Sequence, residues 1–125
     1  MLKHILAATD LVETRDPAVL AGAQIAKQHR ADFHILHVPE SSETENRFQV
    51  KHFKTGEEIL YSADYAKTLI TAIDAAYADI LPPNADTHIR VSPGFPWEEI
   101  IRWSRQIKAS MIVLGPHSAR AQEKG

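Results

Sequence analysis

Ile5-Leu6-Ala7-Ala8-Thr9-Asp10 is a short apolar run that ends in a carboxylate. A strand buried on both faces reads this way, because neither of its alternating sets of side chains meets water. The residues that follow agree. Leu11 to Arg15 form a loop, and Asp16-Pro17 then makes a good helix start. An Asp accepts from free amides there, and a Pro fits the first helical position, where no N–H is needed. The helix is expected from about Pro17 to Arg30, with Ala18, Ala21, Gly22, Ile25 and Ala26 as a small-residue face that sits close to a sheet. Phe33 to Val38 is a second strand with Ile35, Leu36 and Val38 at its centre, closed by Pro39.

Further along, Glu40 to Lys54 is polar and carries no period, so it reads as a long surface loop. Thr55 is placed to cap a second helix with Glu57 and Glu58 in its first turn. Ile59, Ala63, Ala66, Ile70, Ile73, Tyr77 and Ile80 alternate steps of four and three, a helical period, until Pro82-Pro83-Asn84 ends it. Thr87 to Ser92 is a third strand. Its alternation of Ile89 and Val91 with His88 and Arg90 suits an edge. Pro93-Gly94-Phe95-Pro96 turns the chain into a third helix beginning near Trp97, with Trp97, Ile100, Ile101 and Ile107 as its apolar face and Glu98 and Glu99 at its positive end. Met111 to Leu114 is apolar throughout and reads as a central strand, and Gly115 to Gly125 reads as loop.

Strands that alternate with helices in this way imply an α/β fold, a parallel sheet with helices on its faces. Ligands of such open sheets bind beyond the carboxyl ends of the strands. Those ends are Thr9-Asp10, Val38-Pro39, Ser92-Pro93-Gly94 and Gly115 to Ser118.

Composition narrows the partners. The 125 residues suffice for a single domain, 1–125. The net charge is -2 and no Lys/Arg cluster stands out, so no nucleic-acid partner is expected. There is no cysteine, which removes disulfides and thiolate metal sites. The N-terminal apolar run is too short for a signal segment and no stretch reaches membrane-span length. The expectation is a cytoplasmic protein with no membrane partner.

Each strand end carries a functional and a structural reading. Asp10 either accepts hydrogen bonds from a ribose or caps a turn. In Gly115-Pro116-His117-Ser118, the glycine lets a ligand approach the backbone, with His117 and Ser118 donating to phosphate. A glycine there is also common in any α/β loop. For Pro93 to Glu99 the structural reading leads, as a tight turn on which Trp97 packs. No metal is expected from the seven histidines. His34 and His37 fall on opposite faces of a strand, and no pair has the i, i+4 spacing of H-E-x-x-H. Ser118 lacks a G-x-S-x-G elbow. G-x-G-x-x-G is missing after the first strand, and G-x-x-x-x-G-K-[ST] is missing throughout. Leu11 after Asp10 removes the acidic pair of a phospho-receiver. With no evident nucleophile, general base or metal cage, the chain is not expected to be an enzyme.

Four blocks taken in register resemble a universal stress protein domain. They are Ile5 to Asp10, Phe33 to Val38, Gly94-x-Pro96-x-Glu98-Glu99-Ile100-Ile101, and Met111-Ile112-Val113-Leu114-Gly115-Pro116-His117-Ser118. The resemblance implies an open parallel sheet with helices on both faces, adenine nucleotide alpha hydrolase-like, in strand order 3-2-1-4-5 with the fifth strand outside this chain. It also implies a homodimer and a site for ATP or another adenine nucleotide, with Mg only alongside the nucleotide. In that pattern Ala8, Thr9 and Asp10 line the adenosine side with Asp10 at the ribose, and Val38 offers backbone contacts to adenine. Leu114 and Gly115 pass under the nucleotide, and His117 and Ser118 face the phosphates.

Two departures stand out. The family's nucleotide-binding members carry G-x-x-G after the fourth strand, followed nine residues later by Gly-Ser or Gly-Thr. Here Ser118 replaces the second glycine and the sequence ends at Gly125, short of the later pair and of the expected C-terminal helix and strand. The leading reading is a regulatory, nucleotide-binding stress-response module. The alternatives are a structural or regulatory dimer of the same fold that binds no nucleotide, and an adenylating enzyme, for which Leu11 to Arg15 provides no phosphate motif.

Overall fold

The computed structural model describes residues 1–41, 46–81 and 87–115. Its elements are β1 (His4–Thr9), α1 (Pro17–His29), β2 (Asp32–His37), β3 (Gln49–Lys51), β4 (Glu58–Leu60), α2 (Ala63–Tyr77), β5 (Thr87–Val91), α3 (Pro96–Gln106) and β6 (Met111–Leu114). Four strands form one parallel sheet in the order β5-β2-β1-β6. With the small hairpin set aside, that is 3-2-1-4, as expected for an open sheet with helices on both faces.

The alternation of side chains along each strand divides the core in two. Ile5 and Ala7 of β1 and Phe33 and Ile35 of β2 face α1 and α2, where they meet Val19, Ala23, Leu69, Ile73 and Tyr77. Leu6, Ala8, Leu36 and Val38 point the other way, against Ile100, Trp103 and Ile107 of the α3 segment. The central strands are buried on both sides, and each fully buried Ile, Leu or Phe contributes about 1.5–3 kcal/mol. α1 lies close to the sheet because Gly22 permits it. A Cβ there would stand 2.8 Å from Cε1 of Phe33 and 3.3 Å from Cβ of Ala7. Ala21, expected on this face, is exposed, and Val19 and Ala23 take its place.

Four expectations are corrected. Glu40 to Lys54 is not simply a loop, because β3 within it pairs antiparallel with β4, Gln49 opposite Leu60 and Lys51 opposite Glu58. The helix expected from Thr55 begins instead after Ser62, whose hydroxyl accepts from the Tyr65 amide at 3.1 Å. Thr55 makes a local turn by accepting from the Glu57 amide, and Glu58 and Ile59 are strand residues. The stripe that α2 buries is accordingly Tyr65, Leu69, Ile73 and Tyr77, and Ala63 is exposed.

Trp97 does not pack inward. It lies in the open first turn of α3 and is 41% exposed, whereas Ile100, Trp103 and Ile107 form the row that meets the sheet. Glu99 is buried on the same helix, where it accepts from the Ser92 hydroxyl and pairs with Arg102. Burial alone would raise its pKa, but Arg102 and Ser92 more than offset this and hold it below the usual carboxylate range. Finally, β6 is not central among the described residues. It pairs with β1 alone, and Met111, Ile112 and Leu114 are exposed. Uniform apolarity signals a need for cover, which a second neighbouring strand is only one way to meet.

Beneath the α3 side of the sheet, His34 shares a hydrogen bond with His4 at 3.3 Å and stacks on His88 with centroids 4.8 Å apart. Burial, then the charges of His88, Arg90 and His4, lower its pKa to about 4. His34 is therefore neutral in the fold, and the unfolded chain takes up its proton first as the pH falls. Stability is expected to fall between pH 6.5 and about 4 as a result. Urea midpoints measured across this range should show a shallower slope for His34→Gln than for wild type, and parallel slopes would exclude His34 as a source.

Gly22→Ala gains about 1 kcal/mol of helix propensity, yet forces the buried Phe33 ring to move, at about 1–3 kcal/mol. A lowered urea midpoint is expected. An unchanged or raised midpoint would show that the ring yields freely.

Candidate functional site

The loop between β1 and α1 is organised around one buried side chain. The carboxylate of Asp16 accepts from the Ala18 amide at 2.9 Å and from the Thr9 hydroxyl at 2.7 Å. The Asp16 amide donates to the Tyr77 hydroxyl of α2 at 2.7 Å. Burial keeps the Tyr77 phenol above its ordinary value, so it remains an OH able to serve there. Asp16 thus caps α1 as the sequence suggests, and it also ties the end of β1 to both helices of that face. The Thr9 hydroxyl, which in turn accepts from the Leu11 amide at 3.0 Å, is spent inside the protein.

Gly115 belongs to the same knot. A Cβ on it would lie 2.8 Å from Oδ1 of Asp16 and 3.4 Å from Cβ of Ala18. The glycine therefore admits the helix cap, which is reason enough for its presence whether or not a ligand approaches. Leu114 lies beside Ala8 in the sheet register and is 39% exposed. His117 and Ser118 lie outside the described residues.

Asp10 is exposed at the end of β1, and two spaces of unequal size adjoin it. The first lies on the α3 side among Ala8, Thr9, Asp10, Leu36, Val38, Pro96 and Ile100 and measures about 20 Å3. That holds a water and not a base. The second is a cleft of about 530 Å3 on the opposite side. The β1–α1 loop from Asp10 to Thr14 forms one wall, the hairpin segment from Lys51 to Gly56 forms the other, and His37, Pro39, Glu40 and Tyr65 complete it. Its size falls within the usual range for a small-molecule site.

The hairpin wall is held firmly. The Phe53 amide donates to the Tyr65 hydroxyl at 3.0 Å, and the Lys54 amide donates to Nδ1 of His52 at 3.1 Å. Ion pairs join the hairpin to neighbouring segments, Lys54 to Glu13 at 3.3 Å and Lys51 to Glu40 at 3.9 Å. In the cleft, His37 is buried and its Nδ1–H donates to the Thr9 carbonyl at 3.0 Å. Burial lowers its pKa, against the opposing influence of that carbonyl and of Asp10, so the ring is neutral. His34 and His37 do face opposite sides of the sheet, as their spacing requires. Among the described residues no cluster of His, Asp and Glu is arranged to hold a metal ion, and no helix is long and apolar enough to cross a membrane.

Lys51, His52 and Lys54 are the cleft-lining residues that pattern reading misses. The signal was slight: Phe48 and Val50 alternate with polar residues, Ile59-Leu60-Tyr61 is apolar without alternation, and Gly56 turns between the two with φ +73. At Pro93 to Glu99 the turn of the structural reading is present, bonded to α3 through Ser92, Glu99 and Arg102, but Trp97 does not pack on it.

Comparison with known proteins gives a consistent picture. A family model described as the universal stress protein family matches residues 1–124. No curated protein sequence matches the chain. Among solved structures, a protein of the universal stress protein family from Burkholderia pseudomallei is 21% identical, with a TM-score of 0.61 over 98% of this chain and 86% of the other. A universal stress protein in complex with cAMP is 18% identical, with a TM-score of 0.54 over 90% of this chain and 75% of the other.

Replacing Asp16 by Ala removes the α1 cap and strands the buried Thr9 hydroxyl. Urea titration is expected to show a loss of about 2–4 kcal/mol, with Asp16→Asn retaining part of it. A loss under about 0.5 kcal/mol for Asp16→Ala would contradict the central place given to this side chain.

Proposed function

We propose that this chain, which belongs to the universal stress protein family, binds an adenine nucleotide at the carboxyl ends of β1 and β2 and acts as a regulatory stress-response module. The observation that carries the reading is the cleft of about 530 Å3 with Asp10 on its rim, at the end of the sheet where open α/β folds take their ligands. A related fold holds cAMP in a solved structure, which supports an adenine ligand. Asp10 is the partner for ribose hydroxyls, since its carboxylate is exposed and adjoins the cleft. Ala8, Thr9 and Val38 line the narrow space on the α3 side of Asp10 and not the cleft, so their part in this reading is confined to backbone atoms at the strand ends, Thr9 because its hydroxyl is already engaged. Leu114 and Gly115, which end the strand next to β1, are proposed to pass under the nucleotide, with His117 and Ser118 toward its phosphates. ATP is one candidate ligand, with Mg accompanying the nucleotide. A regulatory rather than catalytic role is the reading that membership of this family supports.

The second reading is a dimer that binds no nucleotide. It is favoured by the exposed apolar strand β6, where Met111, Ile112 and Leu114 are 36%, 42% and 39% exposed. A homodimer is compatible with both readings.

Calorimetric titration with ATP, AMP and cAMP separates the two. Binding of at least one at millimolar concentration or tighter is expected. Asp10→Ala should weaken it about tenfold or more, the worth of a hydrogen bond to a charged group. No heat from any of the three would leave the second reading standing, and an unchanged affinity in the variant would remove Asp10 from the site.

A further inference from the structure

Three buried nitrogens on the α3 face of the sheet have no hydrogen-bond partner among the described residues: Nδ1 of His34, Nε of Arg90 and Nε1 of Trp103. Their grouping follows from the register. His34 and Leu36 of β2 lie opposite His88 and Arg90 of β5, and side chains two apart on a strand share a face. Leu36 packs towards α3, so His34, His88 and Arg90 face it too. Trp103 meets them from α3, with its ring centre 4.7 Å from Cζ of Arg90. His34 lies deepest, at 3% exposure.

Arginine and indole nitrogens only donate. In the tautomer whose Nε2 accepts from His4, Nδ1 of His34 is a third donor. Charge points the same way. Two guanidinium groups lie close to the Trp103 ring, since Cζ of Arg102 is 5.1 Å from its centre. Glu99 neutralises Arg102, and Asp32 pairs with His4. Arg90 is half-buried and belongs to no ion pair among the described residues. The face of the indole attracts its charge but leaves its Nε–H unbonded. A cation withdrawn from water ordinarily carries a counter-charge, because its desolvation is costly. The surplus is felt at His34, whose pKa is held down by burial first and then by His88, Arg90 and His4. A water could accept from these donors but would not answer the charge. An anion does both, and it can enter where His88 is exposed on the edge strand β5.

We propose that the face between β5 and α3 binds a small monovalent anion, chloride or the carboxylate of an organic acid, with Arg90 and Trp103 as its donors and His34 behind them. One unmatched charge and two or three donors fit a single charge on the guest. The site shares no lining residue with the cleft beside Asp10, so it stands whether or not a nucleotide binds there. Its occupant ties α3 to the edge of the sheet, which makes anion concentration a determinant of how firmly β5 is held.

The indole N–H resonances of the two tryptophans test this in the full chain. Trp97→Phe assigns them, and the Trp97 signal of the wild type, from an exposed ring, reports the general effect of salt. In separate titrations with chloride and acetate, the Trp103 signal should shift saturably and the Trp97 signal should not. Half-saturation is expected at about 1–100 mM, the scale of one or two charge-assisted hydrogen bonds. Saturation by chloride alone identifies a free ion, and saturation by acetate identifies a carboxylate guest; either sustains the site. Arg90→Gln should weaken the binding about tenfold or more. Arg90→Lys, which keeps the charge and loses the Nε–H, should weaken it less. Should Arg90→Gln fail to fold, the wild-type titration and Arg90→Lys decide alone. A Trp103 signal that stays fixed, or drifts linearly in step with Trp97, overturns the proposal and leaves the three nitrogens to water. Saturable binding of undiminished affinity in the Arg90 variants overturns it equally.

Discussion

A single buried carboxylate holds the carboxyl end of the sheet together. Asp16 caps α1, accepts a hydrogen bond from the Thr9 hydroxyl at the end of β1, sits against Gly115 at the end of β6, and through its amide reaches Tyr77 on α2. Each of its hydrogen bonds satisfies a polar group that would otherwise be buried alone, and such groups are costly to strand. The consequence for function is a division of labour at the strand ends. The Thr9 hydroxyl and the space beside Gly115 are taken up by the scaffold, and Asp10, one residue beyond Thr9, lies at the surface.

The main sheet was legible because its strands are short, apolar and punctuated. Ile5 to Thr9 and Phe33 to His37 have no wet face, and Asp16-Pro17 and Pro96 mark helix starts by their lack of alternatives. The hairpin was not legible, because strands of three residues leave too little alternation to distinguish Gln49–Lys51 and Glu58–Leu60 from loop. Ile59 also continues the helical period of the residues after it, which drew the expected start of α2 too far back until Ser62 supplied the true cap. At α3, hydrophobicity favoured Trp97 over Glu99 as the inward residue. Pairing with Arg102 and Ser92 reversed the order, and a pair made only on folding has no local signature.

The candidate site shows the same split. Asp10 and the strand ends could be placed from the topology of open sheets. The usable space could not, because it depends on where the hairpin packs. Family membership directs attention to the nucleotide, and the geometry directs it to one side of Asp10, the side with His37, Lys51 and Lys54 and not the side closed by Ile100 and Pro96.

Both walls of the cleft are fastened to the same helix. Tyr65 near the start of α2 grips the hairpin at Phe53, and Tyr77 at its end grips the β1–α1 loop at Asp16. At 1.5 Å for each residue the two phenols stand about 18 Å apart along the axis, and Leu69 and Ile73 between them are anchored in the core. α2 therefore works as a gauge bar. The spacing of the walls is referred to a length of regular helix, so widening the opening means releasing a tyrosine hydrogen bond at one end of α2 or the other.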